Sequence, residues 1–414
     1  MTTNPKNTAT ELSYQLNDSG ASVLIVHPKC LEVAIEALID AKIPTSRVLL
    51  FGDKEIKEYR PYRSILIDNH EIEPIYYSPE EAKSTTAYLL YSSGTTGKPK
   101  CIERTHANVV ANLTQLIIAD GKIGPHSITM GTTGATTIIH SSIDVEKFCE
   151  FVQKFKINHI YAAPPIILEL VNNPLVQQFD LSSMNTIINA GAPLRDEWKK
   201  KFYNLFKIPI LQCYGLSETC VALHYPDTSR NAAPGIMSLN GTLLPNMETK
   251  ILSEDGRELG YNESGELWVH GPNIMKGYFN NKEATDAVFD KDGFFNTGDI
   301  AYVDEQELIR YKDFYVPPSE LESILLTHDA VSDAVVVGYY SEEEATEIPI
   351  AYVTIKNVHE QSQALAKEIQ SFVDDKVAPH KQLRGGILFI DKIPRCDGGK
   401  IQRKLLREKL MNKE

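Results

Sequence analysis

The run Tyr91-Ser92-Ser93-Gly94-Thr95-Thr96-Gly97-Lys98-Pro99-Lys100 gathers the parts of a phosphate site into one short loop. Ser92, Ser93, Thr95 and Thr96 supply hydroxyls, Gly94 and Gly97 let backbone N–H groups turn towards an anion, and Lys98 and Lys100 add fixed positive charge. The spacing is not that of the nucleoside-triphosphatase P-loop, in which four residues separate the glycines and Ser or Thr follows the Lys. Here two intervene and Pro99 follows Lys98. Loops use the same residue types for turn geometry, so Gly-Thr-Thr-Gly-Lys alone leaves both a phosphate site and a plain turn open.

Four further places carry chemistry. Tyr214-Gly215-Leu216-Ser217-Glu218-Thr219 offers an aromatic face for a base, a glycine for close approach, hydroxyls, and one carboxylate able to hold Mg²⁺ beside phosphate oxygens. A lone Glu in such a place is otherwise a cap or a solvated charge. In Asn189-Ala190-Gly191-Ala192-Pro193-Leu194, the small residues Gly191, Ala192 and Pro193 allow a flat ring to approach the backbone. Asp299, in Phe295-Asn296-Thr297-Gly298-Asp299-Ile300, suits a ribose diol or an Asx-turn. Lys400 lies beyond Gly398 and Gly399 on a stretch that could swing, and a lysine is a point charge that can serve two oxyanions at once. The plainer reading of Lys400 is one more cation beside Arg403, Lys404, Arg407 and Lys409.

Elements must present these residues. Ala87-Tyr88-Leu89-Leu90-Tyr91 reads as a buried strand that stops where the phosphate loop begins, and Thr105 is available as N-cap of a helix reaching Ile118. Helices are predicted over Glu11–Ser19, Leu31–Asp40, Asp144–Phe155, Pro317–Thr327 and Glu360–Val377. Strands are predicted over Ser22–Val26, Val48–Phe51, Ile157–Ala162, Thr186–Ile188, Ile208–Tyr214, Ala334–Gly338 and Ile350–Ile355. Pro164-Pro165 marks a helix start, and alternation in Gly265–Asn273 buries Leu267 and Val269 on one face. His159 reads as a core histidine rather than a base, since no partner is evident beside it. The pattern is a large α/β N-terminal domain, residues 1–304, followed by a smaller α+β domain, residues 305–414.

At 414 residues and 42% hydrophobic, the chain can bury more than one core. A net charge of −13 argues against non-specific nucleic-acid binding. Six scattered cysteines show neither zinc spacing nor a disulfide framework and read as reduced thiols. The N-terminus has no apolar signal core, no run has the length of a membrane span, and the C-terminus is not Ser-Lys-Leu. The expected compartment is the cytoplasm.

The full Tyr91–Lys100 run, with the Gly191-Ala192-Pro193-Leu194, Tyr214–Thr219, Thr297-Gly298-Asp299 and Gly399-Lys400 segments, resembles the signature set of the adenylate-forming superfamily. That superfamily includes acyl-CoA synthetases, 4-coumarate–CoA ligases and luciferases, and the resemblance extends from about Asn4 to Leu410. It implies the adenylate-forming fold, with a distorted β-barrel-like part in the N-terminal domain. It also implies ATP, Mg²⁺ and coenzyme A as reactants, and a small carboxylic acid as partner. By resemblance Ser92 to Lys98 hold the β- and γ-phosphates, and Gly191, Ala192, Pro193, Tyr214 and Gly215 flank adenine. Glu218 holds magnesium, Thr219 meets the α-phosphate and acid, and Asp299 meets the ribose. Lys312 lies where pantetheine passes, and Lys400 bridges acid and α-phosphate.

Three departures accompany the resemblance. The opening residues match a passage well inside family members, a Phe-Phe-His-like pocket segment has no counterpart after Gly124, and neither does the Asp-Arg hinge between Glu305 and Lys312. Asp313 also stands where the family has glycine. The implied activity is acid–CoA ligation through an acyl-adenylate. The alternatives are a non-catalytic nucleotide-binding relative and a luciferase-like oxygenase. No pattern singles out the acid, and none speaks to oligomeric state or to peroxisomal import.

Overall fold

The strand expected ahead of the phosphate loop forms over Thr86–Ser92 and pairs antiparallel with Lys100–Thr105, so residues 93–98 are flanked by a two-stranded stem. The chain then turns directly into the helix His106–Ala119. Its start is written in the sequence: Thr105 Oγ1 accepts from the Asn108 N–H at 3.2 Å while Asn108 Oδ1 accepts from the Thr105 N–H at 3.0 Å. This reciprocal cap satisfies two donors that a helix end leaves open. The computed structural model describes residues 1–41, 43–68, 72–92, 99–120, 128–129, 136–138, 144–190, 194, 196–226, 241–253, 255–305, 309–311, 319–341, 346–356, 360–377, 382–394 and 403–411.

Behind the stem lies a five-stranded parallel sheet in the order Thr136–Thr137, Ile128–Thr129, His159–Ala162, Thr186–Asn189, Ile210–Gln212. The crossovers are the helices Val145–Phe155, Pro164–Asn172 and Asp196–Phe206. Asp144 caps the first, its carboxylate accepting from the Glu146 and Lys147 N–H groups, and Pro164 opens the second, where its missing N–H costs nothing. A parallel sheet is buried on both faces, and adjacent residues show it: Ile187 and Ile188 are each 0% exposed yet belong to different cores. Ile187 packs with Cys149, Val152, Ile167 and Phe202 of the helical layer. Ile188 faces the core shared with the antiparallel part of the molecule.

That antiparallel part is a four-stranded sheet, Glu248–Leu252, Gly265–His270, Phe295–Val303 and Ile309–Tyr311. Leu267 and Val269 are fully buried on one face, as their alternation requires. The strand Gly277–Tyr278 joins the stem beside Lys100–Thr105. Among the described residues these sheets stay open, so the barrel-like part contains no closed barrel.

The front of the chain forms a βαβ unit, Leu24–Val26 parallel to Val48–Leu50, with the helices Ala9–Asp18 and Leu31–Ala37 on one face. Here the expectation of a buried strand over Ser22–Val26 fails in part, because Val23 and Ile25 are 46% and 45% exposed. Two strands with helices on one side leave the other side bare. The C-terminal part pairs Val331–Ser341 with Thr346–Ile355, adds Ile387–Phe389 in parallel, and sandwiches this sheet between Ser319–Leu325 with Gln363–Asp374 and Arg403–Met411. Five described cysteines are free thiols, and among the described residues no helix is long and apolar enough to cross a membrane.

Candidate functional site

The strand Ile210–Gln212 ends two residues before Tyr214, so the segment Tyr214–Thr219 leaves the carboxyl edge of the parallel sheet, where open α/β sheets hold ligands. Ser217–Thr219 forms a single 3₁₀ turn. Inside it Thr219 is fully buried, with its hydroxyl accepting from Leu216 N–H at 2.9 Å and donating back to Leu216 O at 3.2 Å. The Thr219 side chain therefore braces the turn. Gly215 is required by space: a Cβ there would stand 1.9 Å from Val221 O, a backbone atom that cannot yield without moving the turn.

The turn brings Glu218 to the end of the phosphate-loop stem. Ser92 Oγ, on the last stem residue, donates to Glu218 Oε1 at 3.1 Å, and Tyr278 OH donates to the same oxygen at 3.2 Å. Glu218 is 9% exposed, and among the described residues no cation stands within ion-pairing distance of it. Lys100 is near, its Nζ 4.8 Å from the centre of the Tyr278 ring, and burial lowers its pKa while the Glu218 charge opposes that shift. Burial pushes the Tyr278 phenol well up, with the Glu218 charge adding to the shift, so it remains a hydrogen-bond donor. A buried carboxylate held by neutral hydroxyls rather than by a charge is an unusual economy unless a cation arrives from elsewhere.

The second pair is Tyr214 and Asp299. Tyr214 OH donates to Asp299 Oδ2 at 2.5 Å across 85 residues of chain. Burial raises the Asp299 pKa, the phenol lowers it, and Glu218 raises it again through its charge. The Asx-turn alternative also has a counterpart, but in its neighbour: Asn296 Oδ1 accepts from Gly298 N–H at 2.8 Å, leaving the Asp299 carboxylate for Tyr214.

Of the residues proposed from sequence, the structure thus joins Ser92 to Glu218 and Tyr214 to Asp299, with Gly215 and Thr219 in the same turn. Ser93, Gly94, Thr95, Thr96, Gly97, Lys98, Gly191, Ala192, Pro193, Lys312 and Lys400 lie outside the described residues, as do most of the atypical stretch after Gly124 and residues 306–308 of the hinge region. His159 is buried as a core residue, but the absence of a partner is corrected. Asp120, fully buried, places Oδ2 3.6 Å from His159 Nε2 and 2.7 Å from the Tyr225 hydroxyl that donates to it. Sequence reasoning missed Tyr278, whose hydroxyl donates to Glu218, and Arg104, whose guanidinium reaches the Ser217 carbonyl. A signal for Arg104 existed: Glu103 and Arg104 are consecutive in a strand, so one charge must point inward.

The donor set fits magnesium and a nucleotide. Among the described residues no three His, Cys, Asp or Glu side chains converge, so there is no all-protein metal cage. One hard carboxylate, Glu218, at the end of the stem that carries Ser92 suits Mg²⁺, since that ion keeps substrate oxygens and waters as its other ligands. Beside it the Tyr214 ring offers a flat aromatic face and Asp299 a carboxylate that accepts from the Tyr214 hydroxyl.

The family model described as AMP-binding enzyme matches residues 1–279, and that of the AMP-binding enzyme C-terminal domain matches residues 320–400. A "Probable CoA ligase" of Humulus lupulus is 33% identical over 97% of this chain and 77% of its own. A "Probable 4-coumarate--CoA ligase" of Dictyostelium discoideum is 38% identical over 79% of this chain, and the match spans 64% of that relative. Among solved structures, an amide bond synthetase from Marinactinospora thermotolerans superposes with a TM-score of 0.80 at 22% identity, over 98% of this chain and 84% of that one, which shows a shared fold.

Proposed function

The chain belongs to the AMP-binding enzyme family, and from that premise we propose that it is an ATP-dependent acid–CoA ligase acting through an acyl-adenylate. The acid's carboxylate oxygen attacks the α-phosphorus of ATP, the bond to the β-phosphate oxygen breaks, and pyrophosphate leaves. The coenzyme A thiol then adds to the acyl carbon, loses its proton, and displaces AMP to give the thioester. No protein nucleophile is required.

The observation that carries this reading is the convergence of Ser92, Glu218 and Tyr278, three residues distant in sequence, at the mouth of the phosphate loop. Magnesium bound to Glu218 would offset charge that gathers on the phosphate oxygens. Tyr214 presents its ring to adenine, and Asp299 accepts from the ribose while Tyr214 OH fixes its orientation. Ser93 to Lys98 take the β- and γ-phosphates, Gly191 to Pro193 line the base, and Lys400 neutralises the acid and the α-phosphate together. Lys312 lies on the coenzyme A path. The two family models leave residues between 279 and 320 unassigned, and we place the domain boundary there, at 304/305.

The test is product analysis with ATP, magnesium, coenzyme A and a panel of cinnamic, benzoic and fatty acids. Acid-dependent thioester and AMP in equal amounts support the ligase. Adenylate without thioester favours an adenylating relative such as an oxygenase. ATP binding with neither product favours a non-catalytic one.

A further inference from the structure

The strand Lys100–Thr105 turns Ile102 and Arg104 to the same face, and Ile102 on that face is fully buried. An arginine there must spend its donors on protein acceptors. Arg104 Nε donates to Ser217 O at 2.8 Å, Nη2 donates to the same carbonyl, and Nη1 lies 3.5 Å from Cys220 O. Ser217 and Cys220 flank Glu218 and Thr219, so one guanidinium spans both ends of the turn that presents the carboxylate.

That turn needs holding. Cys220 has φ 63° and Val221 φ 143°, and a β-branched residue in that region is an outlier that persists only where its surroundings over-determine it. Asn273 Nδ2 supports one side, donating to Thr219 O and Ala222 O at 3.0 Å each, and Asn112 Nδ2 donates to Ala222 O at 2.9 Å. Gly215 closes against Val221 O. Arg104 supplies the remaining support from the phosphate-loop stem. It forms no direct ion pair with Glu218 among the described residues, and the two charges attract each other only at longer range.

We propose that Arg104 is a positioning residue for the Glu218 carboxylate, locking the Ser217–Cys220 backbone so that Glu218 meets the stem of the phosphate loop. This rests on the reading above in one respect, that Glu218 is the protein ligand of magnesium. Lysine cannot substitute fully, because an ammonium donates from a single point and a guanidinium donates from a rigid fork.

The experiment is calorimetric titration of ATP into the full chain with excess magnesium and again with EDTA. It uses wild type, Glu218→Gln, Arg104→Leu and Arg104→Lys, with ATP–pyrophosphate exchange recorded alongside. Wild type should gain affinity from magnesium and Glu218→Gln should not. Arg104→Leu should lose about tenfold of the magnesium gain while its affinity in EDTA stays within about twofold, the scale for removing a residue that orients a metal ligand. Arg104→Lys should fall between. An undiminished magnesium gain in Arg104→Leu overturns the assignment, and so does an equal loss with and without magnesium, which marks a merely structural residue. If the leucine variant does not fold, an undiminished gain in Arg104→Lys overturns it. A wild type without exchange but with an Arg104-dependent magnesium gain sinks the ligase reading and upholds this one. A wild type without any magnesium gain overturns the Arg104 assignment whatever the exchange result.

Discussion

Asp299 and Lys400 carry the proposal's most specific residue-level roles. If Asp299 accepts from the ribose diol, Asp299→Asn removes a charge-assisted hydrogen bond, commonly ~1.5–3 kcal/mol, and the KM for ATP should rise on the order of 10- to 100-fold. The diagnostic is discrimination: wild type should prefer ATP strongly over 2′,3′-dideoxy-ATP, and the variant should scarcely distinguish them. A variant that keeps the preference assigns the diol elsewhere. Lys400→Ala should cut acid-dependent pyrophosphate exchange by on the order of 10²–10³, the scale for losing one preorganised charge stabiliser, with melting unchanged. Unchanged exchange would make Lys400 one more cation of its basic neighbourhood. Both roles were read from contiguous motifs, and of the two residues Asp299 is the one that lies among the described residues, where it accepts from Tyr214. The partners of Arg104 and Tyr278 were not legible, because they lie 113 and 60 residues away and meet these residues only after the sheets have assembled.

Elements were legible wherever the sequence carries its own punctuation. Thr105, Asp144 and Pro164 start helices where they were expected to, since capping is a local matter of one side chain and the next turn. Strand burial was less legible at the front, where Ile25 looks like any core residue and its exposure depends on how many layers cover the sheet. The turn after the last parallel strand is the element on which the site depends, and Gly215 tests it. Gly215→Ala places a Cβ against Val221 O, so the Val221 carbonyl must shift and the Glu218 turn with it. Exchange should fall at least about tenfold, with a loss of about 1–3 kcal/mol in stability by urea unfolding, the usual cost of overpacking. Wild-type exchange and stability in this variant would show that the turn tolerates what its geometry forbids.

Across the whole molecule, the buried titratable groups set how the fold responds to acid. His224 is fully buried, and burial pulls its pKa down to about 3 from 6.5. Below pH 6.5 the unfolded chain takes up a proton that the folded chain refuses, so the contribution of His224 is complete above that pH and is lost progressively towards pH 3. Asp299 works in the opposite sense, since its pKa is raised in the folded state and protonation there favours the fold. His224→Phe should flatten the fall in stability between pH 6 and 4 by up to ~1.4 kcal/mol per pH unit, measured as urea-unfolding free energy. An unchanged slope would show that His224 titrates normally in the fold.

The most direct test of the account is acid-dependent ATP–pyrophosphate exchange by the purified full chain and by its Glu218→Gln variant, with folding of both confirmed. The ligase reading expects exchange with at least one carboxylic acid, reduced by on the order of 10²–10³ in Glu218→Gln at unchanged melting temperature. A folded chain that binds ATP but exchanges with no acid, or a Glu218→Gln variant that exchanges as well as wild type, would contradict it.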